Sequence, residues 1–225
     1  GETLHGDYNQ IMNDAMLHSV TNYECYKGLY SSFNSMNMFE INHSLLRQFG
    51  PEQWTLYKGK HLLSFVDNHD VTRVASILNN ANHLPLIYTL AFGMPGIPCV
   101  YYGSEWGATG RKEDGDPALR VSFDTPVWND LTTFISKLAV AKKSSNALNY
   151  GSFSSIVLTN EQCIFLRQYN DERVLVAINT SEQPYFASFN IGTDTCTDLI
   201  SGSEIKLNNG MELPGYSSFI LQPFS

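Results

Sequence analysis

The amino-acid sequence predicts an α/β chain in two parts: half of a (β/α)8 TIM barrel over residues 1–147 and an antiparallel β-sandwich over residues 148–225. Two short apolar runs, Leu62–Val66 and Gly96–Gly103, alternate with stretches whose apolar residues recur at helical spacing, which is typical of βα units. Near Tyr150 the period changes to short alternating segments separated by turn residues. Three or four βα units precede this change. A closed barrel has eight such units and needs roughly 250 residues, so the first part is predicted to be half of one.

The elements of the first part begin with a short helical pattern over Met12–Val20. Ser19–Tyr30 is rich in strand-forming residues and is predicted to hold a strand with Asn22 and Tyr23 near its end. Met38–Phe49 has apolar residues at helical spacing, and the Gly-Pro pair that follows ends this helix.

Further helices are predicted over Val74–Leu78, Leu84–Gly93 and Val127–Leu148, with a long polar loop from Ser104 to Arg120. The apolar face of the last helix consists of Val127, Leu131, Phe134, Leu138, Val140 and Ala141. The sandwich strands are predicted over 152–159, 162–169, 173–180, 184–191 and 217–224.

Composition narrows the classes of function. The 225 residues are 43% apolar, which supports a sizeable core and excludes general disorder. A formal charge of −8 provides no basic surface, so no nucleic-acid partner is expected. No segment approaches the roughly 20 apolar residues that span a bilayer, so no membrane segment is expected. Four widely spaced cysteines suit buried free thiols and a reducing, cytoplasmic location.

Polar residues collect where the Leu62–Val66 run ends, in the order Asp67, Asn68, His69 and Asp70. The carboxyl ends of parallel strands are where ligands bind and catalytic side chains lie. Alternatively, Asp70 caps the next helix, while His69 and Asp67 bond to nearby turns. This stretch alone does not decide between the two interpretations.

Three motifs together resemble the α-amylase family of glycoside hydrolases, family 13, and most closely its neopullulanase and cyclomaltodextrinase branch. They are the opening Gly1-Glu2, FVDNHDVTR over Phe65–Arg73 and GIPCVYYGSEWG over Gly96–Gly107. The resemblance covers the whole chain and implies the C-terminal half of the catalytic barrel followed by its β-sandwich. It implies an α-glucan oligosaccharide as the substrate class.

The resemblance also implies roles for individual residues. Asp70 would hold the sugar hydroxyls and favour an oxocarbenium-like transition state, with His69 and Asn68 binding the same sugar. Glu2 would be the general acid/base, a role that calls for a pocket that excludes water. Asp70 and Glu2 are therefore the predicted catalytic residues.

Other candidates have structural alternatives. Arg73 is predicted to bind substrate, pairing with Asp70 or Glu2, or else to face water. Arg120 is predicted to bind substrate, although its pair with Asp116 has the spacing of a surface ion pair. Tyr102 is predicted to line the substrate pocket. A further set consists of Tyr101, expected to pack inside the barrel, Glu105 as a pocket wall or loop acid, and Trp54 and Trp106 as sugar platforms or buried rings.

The family's nucleophile would lie upstream of Gly1, and nothing in this chain matches it. Neither a metal nor another cofactor is expected. The chain alone is therefore expected to be inactive, and to self-associate or pair with the missing N-terminal half so that strand edges are covered. The alternatives are a non-catalytic carbohydrate-binding or structural fragment, and a parent protein that acts as a glucan transglycosylase.

Overall fold

The computed structural model describes residues 1–3 and 6–224, which form a barrel segment joined to an antiparallel β-sandwich. The helices are α1 (Tyr23–Asn34), α2 (Met38–Phe49), α3 (Val74–Ile77), α4 (His83–Gly93), α5 (Asp116–Leu119), α6 (Asp130–Ser144) and α7 (Asn146–Tyr150). The strands are β1 (Leu63–Phe65), β2 (Ile97–Cys99), β3 (Ser152–Leu158), β4 (Gln162–Tyr169), β5 (Glu172–Asn179), β6 (Tyr185–Ser188), β7 (Thr195–Asp198), β8 (Glu204–Lys206), β9 (Gly210–Leu213) and β10 (Ser217–Pro223).

Strands β1 and β2 are the two apolar runs recognised in the sequence, and they pair in parallel with Leu63 opposite Ile97. Thr21 adds a parallel bridge to Leu63 on the other side of β1. The chain segments that leave Thr21, β1 and β2 therefore start from the carboxyl ends of neighbouring parallel strands. The candidate site lies at these strand ends.

The strand expected within Ser19–Tyr30, with Asn22 and Tyr23 near its end, is reduced to the single bridge at Thr21, and a helix begins at Tyr23. Asn22 caps α1 by accepting a hydrogen bond from the Cys25 N–H at 3.1 Å, and the helix continues to Asn34. Its buried side chains include Cys25, Leu29 and Phe33, at the spacing of a helix face. The helix predicted over Met12–Val20 is also wrong, since only a 3₁₀ turn at Tyr8–Gln10 precedes a run of bends.

Strand β2 was expected to be buried, but Ile97 is 50% exposed and Cys99 is exposed. Within the described residues β2 pairs only with β1, so one of its edges has no partner strand. The expectation that every cysteine is buried is wrong for Cys99, whereas Cys25, Cys163 and Cys196 are buried.

The helix predicted over Val127–Leu148 is divided at Ser145 into α6 and α7. The Ser145 hydroxyl accepts a hydrogen bond from the Leu148 N–H at 3.0 Å and caps α7. The predicted apolar face was partly wrong, because Val127 and Val140 are exposed. The buried side of α6 consists of Thr132, Ile135, Leu138, Ala141 and Lys142.

The sandwich contains a six-stranded antiparallel sheet in the order β3-β4-β5-β10-β7-β8 and a two-stranded sheet of β6 and β9. Helix α4 packs directly on the larger sheet and shares a core with it. A Cβ atom at Gly93 would lie 2.7 Å from the Val176 side chain, so this approach requires glycine. Within the described residues no helix is long and apolar enough to cross a membrane.

Candidate active site

Glu2 and the residues that follow Thr21 and β1 form a polar edge, defined here as Glu2, Tyr23, Asn68, His69 and Asp70. Glu2 reaches this edge because the Thr21 N–H donates to the Gly1 carbonyl at 3.0 Å. Residues 68–70 reach it as the turn that leaves β1.

Tyr23 joins the predicted acid/base to the β1 turn. Its hydroxyl donates to Glu2 Oε1 at 2.5 Å and accepts from Asn68 Nδ2 at 3.1 Å. The ring is nearly buried and packs edge-on against Phe65 and Tyr26. Burial, together with the Glu2 carboxylate, raises the pKa of Tyr23 to about 12. The phenol therefore stays protonated and available as a donor to Glu2.

Tyr23 was not among the predicted site residues. The only signal in the sequence was the placing of Asn22 and Tyr23 near a strand end. The position of Tyr23 in the first turn of α1 turns its ring toward β1 and its hydroxyl toward Glu2.

The turn after β1 is held by Asn68, whose Oδ1 accepts from the Asp70 N–H at 2.8 Å. The Asp70 carboxylate lies 3.2 Å from His69 Nε2 and 3.1 Å from Arg120 Nη2. All three side chains are nearly half exposed, so these pairs contribute little to stability. The carboxylate remains open to a ligand that competes for it. The roles of Glu2, Asn68, His69 and Asp70 stay predictions.

Arg73 does not belong to the polar edge, and its prediction as a substrate-binding residue was wrong. The side chain is fully buried, and none of its hydrogen bonds goes to Asp70 or Glu2. Its guanidinium donates to the Tyr102 carbonyl at 2.8 Å, the Leu119 carbonyl at 3.0 Å and Ser104 Oγ at 3.1 Å. Arg73 therefore fastens the loop after β2 to the barrel segment.

Asp67 also helps to hold the loop after β2, through its contact with Ser104. It is buried and accepts from Ser104 Oγ at 2.7 Å and from the Val74 N–H at 2.8 Å. Burial raises the pKa of Asp67, and these two hydrogen bonds act against the rise. Ser104, which the sequence did not single out, links Asp67 to Arg73 because it donates to one and accepts from the other.

The loop after β2 forms a cavity of about 460 Å³ beside Asp70, lined by Tyr102, Trp106, Arg120 and Phe123 among others. The Tyr102 hydroxyl donates to the Val121 carbonyl at 2.8 Å while its ring is partly exposed. Arg120 reaches Asp70 and lies 3.9 Å from Asp116. Both arrangements suit the predicted substrate-facing positions of Tyr102 and Arg120, which stay predictions.

The remaining candidates lie around this loop or outside it. Tyr101 packs against the Arg73 guanidinium at 4.7 Å, and Trp106 meets Phe123 edge-on. One carboxylate oxygen of Glu105 is buried without a hydrogen-bond partner. Trp54 is 61% exposed and does not line the cavity beside Asp70.

A cavity of about 840 Å³ lies on the far side of Tyr23, between α1, α2 and the segment at Asp7 and Tyr8. It shares Tyr23 with the polar edge. Among the described residues, no group of three or more His, Cys, Asp or Glu side chains is placed to hold a metal ion.

Fold and polar edge together define a barrel segment with carboxylates at its strand ends, joined to an all-β domain. Comparison with known proteins identifies the family. The model described as "Alpha amylase, catalytic domain" matches residues 1–155, and "Maltogenic Amylase, C-terminal domain" matches residues 156–220.

Individual relatives agree. A cyclomaltodextrin glucanotransferase of Thermoanaerobacterium thermosulfurigenes is 30% identical over 170 residues, 73% of this chain and 23% of that protein. A cyclomaltodextrinase of Thermoanaerobacter pseudethanolicus is 24% identical over 229 residues, 97% of this chain and 37% of that protein. The crystal structure of an α-amylase from Geobacillus thermoleovorans, complexed with acarbose, matches with a TM-score of 0.84 at 19% identity, covering all of this chain and 53% of that one.

This chain belongs to the α-amylase family, and the recognition of the C-terminal half of a family 13 enzyme is confirmed. It spans about a quarter of the glucanotransferase and just over a third of the cyclomaltodextrinase.

Proposed function

We propose that this chain is the C-terminal part of a retaining glycoside hydrolase or transglycosylase that acts on α-glucans. The observation that carries the proposal is the continuous hydrogen-bonded path from Glu2 through Tyr23 and Asn68 to Asp70. The path ends on the backbone N–H of Asp70, so it fixes the turn that carries Asp70 relative to the Glu2 carboxylate. A retaining glycosidase needs such control over carboxylates around the scissile bond.

In this proposal Glu2 gives a proton to the leaving glycosidic oxygen and later takes a proton from the incoming acceptor. Tyr23 holds the carboxyl group in position through its hydroxyl. The nucleophile comes from a part of the protein outside this chain. Water as the acceptor gives hydrolysis, and a sugar hydroxyl gives transglycosylation. The names of the two relatives above support either outcome.

Asp70 and His69 bind the hydroxyls of the sugar next to the scissile bond. The Asp70 carboxylate also favours the positive charge that develops on the ring in the transition state. Substrate displaces the weak pair with Arg120, whose guanidinium then turns to a hydroxyl of the glucan. Tyr102 offers its exposed ring as one wall of the site.

The test is made in the full-length protein that contains this chain, with maltoheptaose and β-cyclodextrin as substrates. Glu2→Gln should lower kcat by about a thousandfold, and ¹H NMR should show α-anomeric product from the unaltered protein. β-anomeric product, or activity in Glu2→Gln within threefold of the unaltered protein, would refute the proposal.

We infer that the 225 residues alone are inactive, because two carboxylates must flank the bond and only the acid/base comes from this segment. In the part of the chain that the structure describes, one edge of β2 has no partner strand and Ile97 is exposed, which supports self-association or pairing with the missing half. Light-scattering chromatography of the isolated chain should show a dimer or larger species, shifted toward monomer by Ile97→Lys. A monomer at all concentrations, or release of reducing sugar that Glu2→Gln does not abolish, contradicts this inference.

A further inference from the structure

A third cavity, of about 540 Å³ and here called the junction cavity, lies where the barrel segment meets the sandwich. One wall is the end of α2 at Phe49 and the segment that follows it, with Lys58 and His61. The other wall is the segment that enters β3, with Tyr150, and the β4 residue Arg167. None of these residues is shared with the polar edge.

Two cations are buried at this junction, and their hydrogen bonds go only to backbone carbonyls. Arg167 donates to Gly93 O at 2.8 Å, Gly151 O at 2.9 Å and Ser152 O at 3.1 Å. Lys142 Nζ donates to Leu148 O at 2.8 Å and Met94 O at 3.3 Å. No carboxylate pairs with either cation in the part of the chain that the structure describes.

The carbonyls explain how the two cations are tolerated but not how their charge is balanced. Except for Ser152 O, which belongs to β3, they lie at the C-terminal ends of α4 and α7, where the helix dipole places partial negative charge. The positive charge at this junction is therefore only partly compensated. In agreement, burial lowers the pKa of Lys142 to about 7, with a further contribution from Arg167, and burial lowers the pKa of Arg167 to about 9.

The rest of the cavity wall adds lysine ammonium groups and no negative charge. Lys58 is exposed, with its ammonium donating to the Pro51 carbonyl at 3.3 Å, and His61 is partly buried. Burial, together with Lys142 and Arg167, lowers the pKa of His61, so at neutral pH this side chain contributes an N–H donor rather than a positive charge. Lys60 also lines the wall, although its ammonium donates to Asn9 Oδ1 and the Met12 carbonyl. Among the residues that line the cavity there is no Asp or Glu, in a chain whose net charge is −8. A cleft lined by one sign of charge concentrates the field and attracts the opposite charge.

The mouth of the cavity also has an aromatic face. Tyr150 is 60% exposed and lies between His61, whose ring meets it edge-on at 5.7 Å, and Tyr169 at 5.8 Å. A ring held this way offers a flat apolar surface beside the positive wall.

We propose that the junction cavity binds a small organic phosphate, with the phosphate group against Lys58 and His61, in the field of the buried Arg167, and its organic part against Tyr150. A phosphate group matches a site with several N–H donors and an unbalanced positive field. The ligand bridges the barrel segment and the sandwich, so its binding stabilises their junction. This site is independent of the proposed glycosidase activity.

The experiment measures binding by isothermal titration calorimetry at constant ionic strength, with inorganic phosphate, glucose 6-phosphate and glucose as separate probes. Phosphate should bind with a dissociation constant on the order of 1 mM, glucose 6-phosphate several times more tightly, and glucose not measurably. The proposal would be overturned if neither inorganic phosphate nor glucose 6-phosphate bound saturably. It would also be overturned if glucose bound as tightly as glucose 6-phosphate.

Variants separate the two parts of the site. The double variant Lys58→Gln/His61→Gln should weaken phosphate binding about tenfold or more. Lys137→Gln is the control, since it removes one exposed lysine on α6 away from the cavity and should leave binding within twofold. Tyr150→Ala should remove the preference for glucose 6-phosphate while phosphate still binds. Equal binding by all variants would show an adventitious ion only and overturn the proposal.

Discussion

Replacing Arg73 by Gln tests whether this residue fastens the loop after β2 rather than binding substrate. The change removes the donors to the Tyr102 and Leu119 carbonyls and to Ser104 Oγ. Each hydrogen bond from a charged group contributes about 1.5–3 kcal/mol, and buried acceptors left without a donor add a penalty. The shorter glutamine side chain can replace part of the lost hydrogen bonding. We therefore expect the free energy of unfolding to fall by about 3–5 kcal/mol.

Urea denaturation, followed by circular dichroism, measures this loss. With an m-value of about 2–3 kcal/mol per molar urea, the midpoint should fall by roughly 1–2.5 M. Arg120→Gln is the matched control, because its ion pair with Asp70 is half exposed and contributes at most about 1 kcal/mol. An Arg73→Gln midpoint within about 0.2 M of the unaltered chain would refute the structural role, since that shift is below 1 kcal/mol.

Three further predictions concern the polar edge and the junction. In the full-length protein, Asp70→Asn should lower kcat by roughly a thousandfold or more with a small change in KM, because the charge acts mainly in the transition state; steady-state kinetics showing a change within threefold would disprove the assignment. Tyr23→Phe should lower kcat about 10–100-fold by removing the hydrogen bond to Glu2, while equal rates would show that the hydroxyl does not position Glu2. For Lys142, the folded pKa of about 7 lies below its ordinary 10.5, so the unfolded state binds more protons between these values. Stability should therefore rise as pH increases above 7, and Lys142→Met should flatten that rise in urea midpoints; an unchanged slope would contradict this.

Local pattern was enough for much of the fold. The apolar runs at Leu62–Val66 and Gly96–Gly103 became β1 and β2, and the helical spacing over Met38–Phe49 became α2. The change of period near Tyr150 coincides with the start of the sandwich strands at Ser152. These features depend on spacing within one segment, which the chain carries wherever it folds.

Local pattern failed where a segment is consistent with two structures. Ser19–Tyr30 contains strand-forming residues and also apolar residues three to four apart. The Asn22 cap and the core around Leu29 decide for a helix. Val140 has the spacing of a buried residue but faces outward, while Lys142 is buried because carbonyls from α7 and the end of α4 receive its ammonium.

For the candidate site, the sequence by itself determined that Asn68, His69 and Asp70 follow a buried strand, and its motifs determined the family. Only the tertiary structure decided that Tyr23 bonds to Glu2 and that Arg73 turns inward. The physical reason is distance along the chain. Glu2 lies 21 residues from Tyr23, and the acceptors of Arg73 lie 29 to 46 residues away from it. Which of these groups a side chain meets depends on how the strands and loops pack, and no local spacing encodes it.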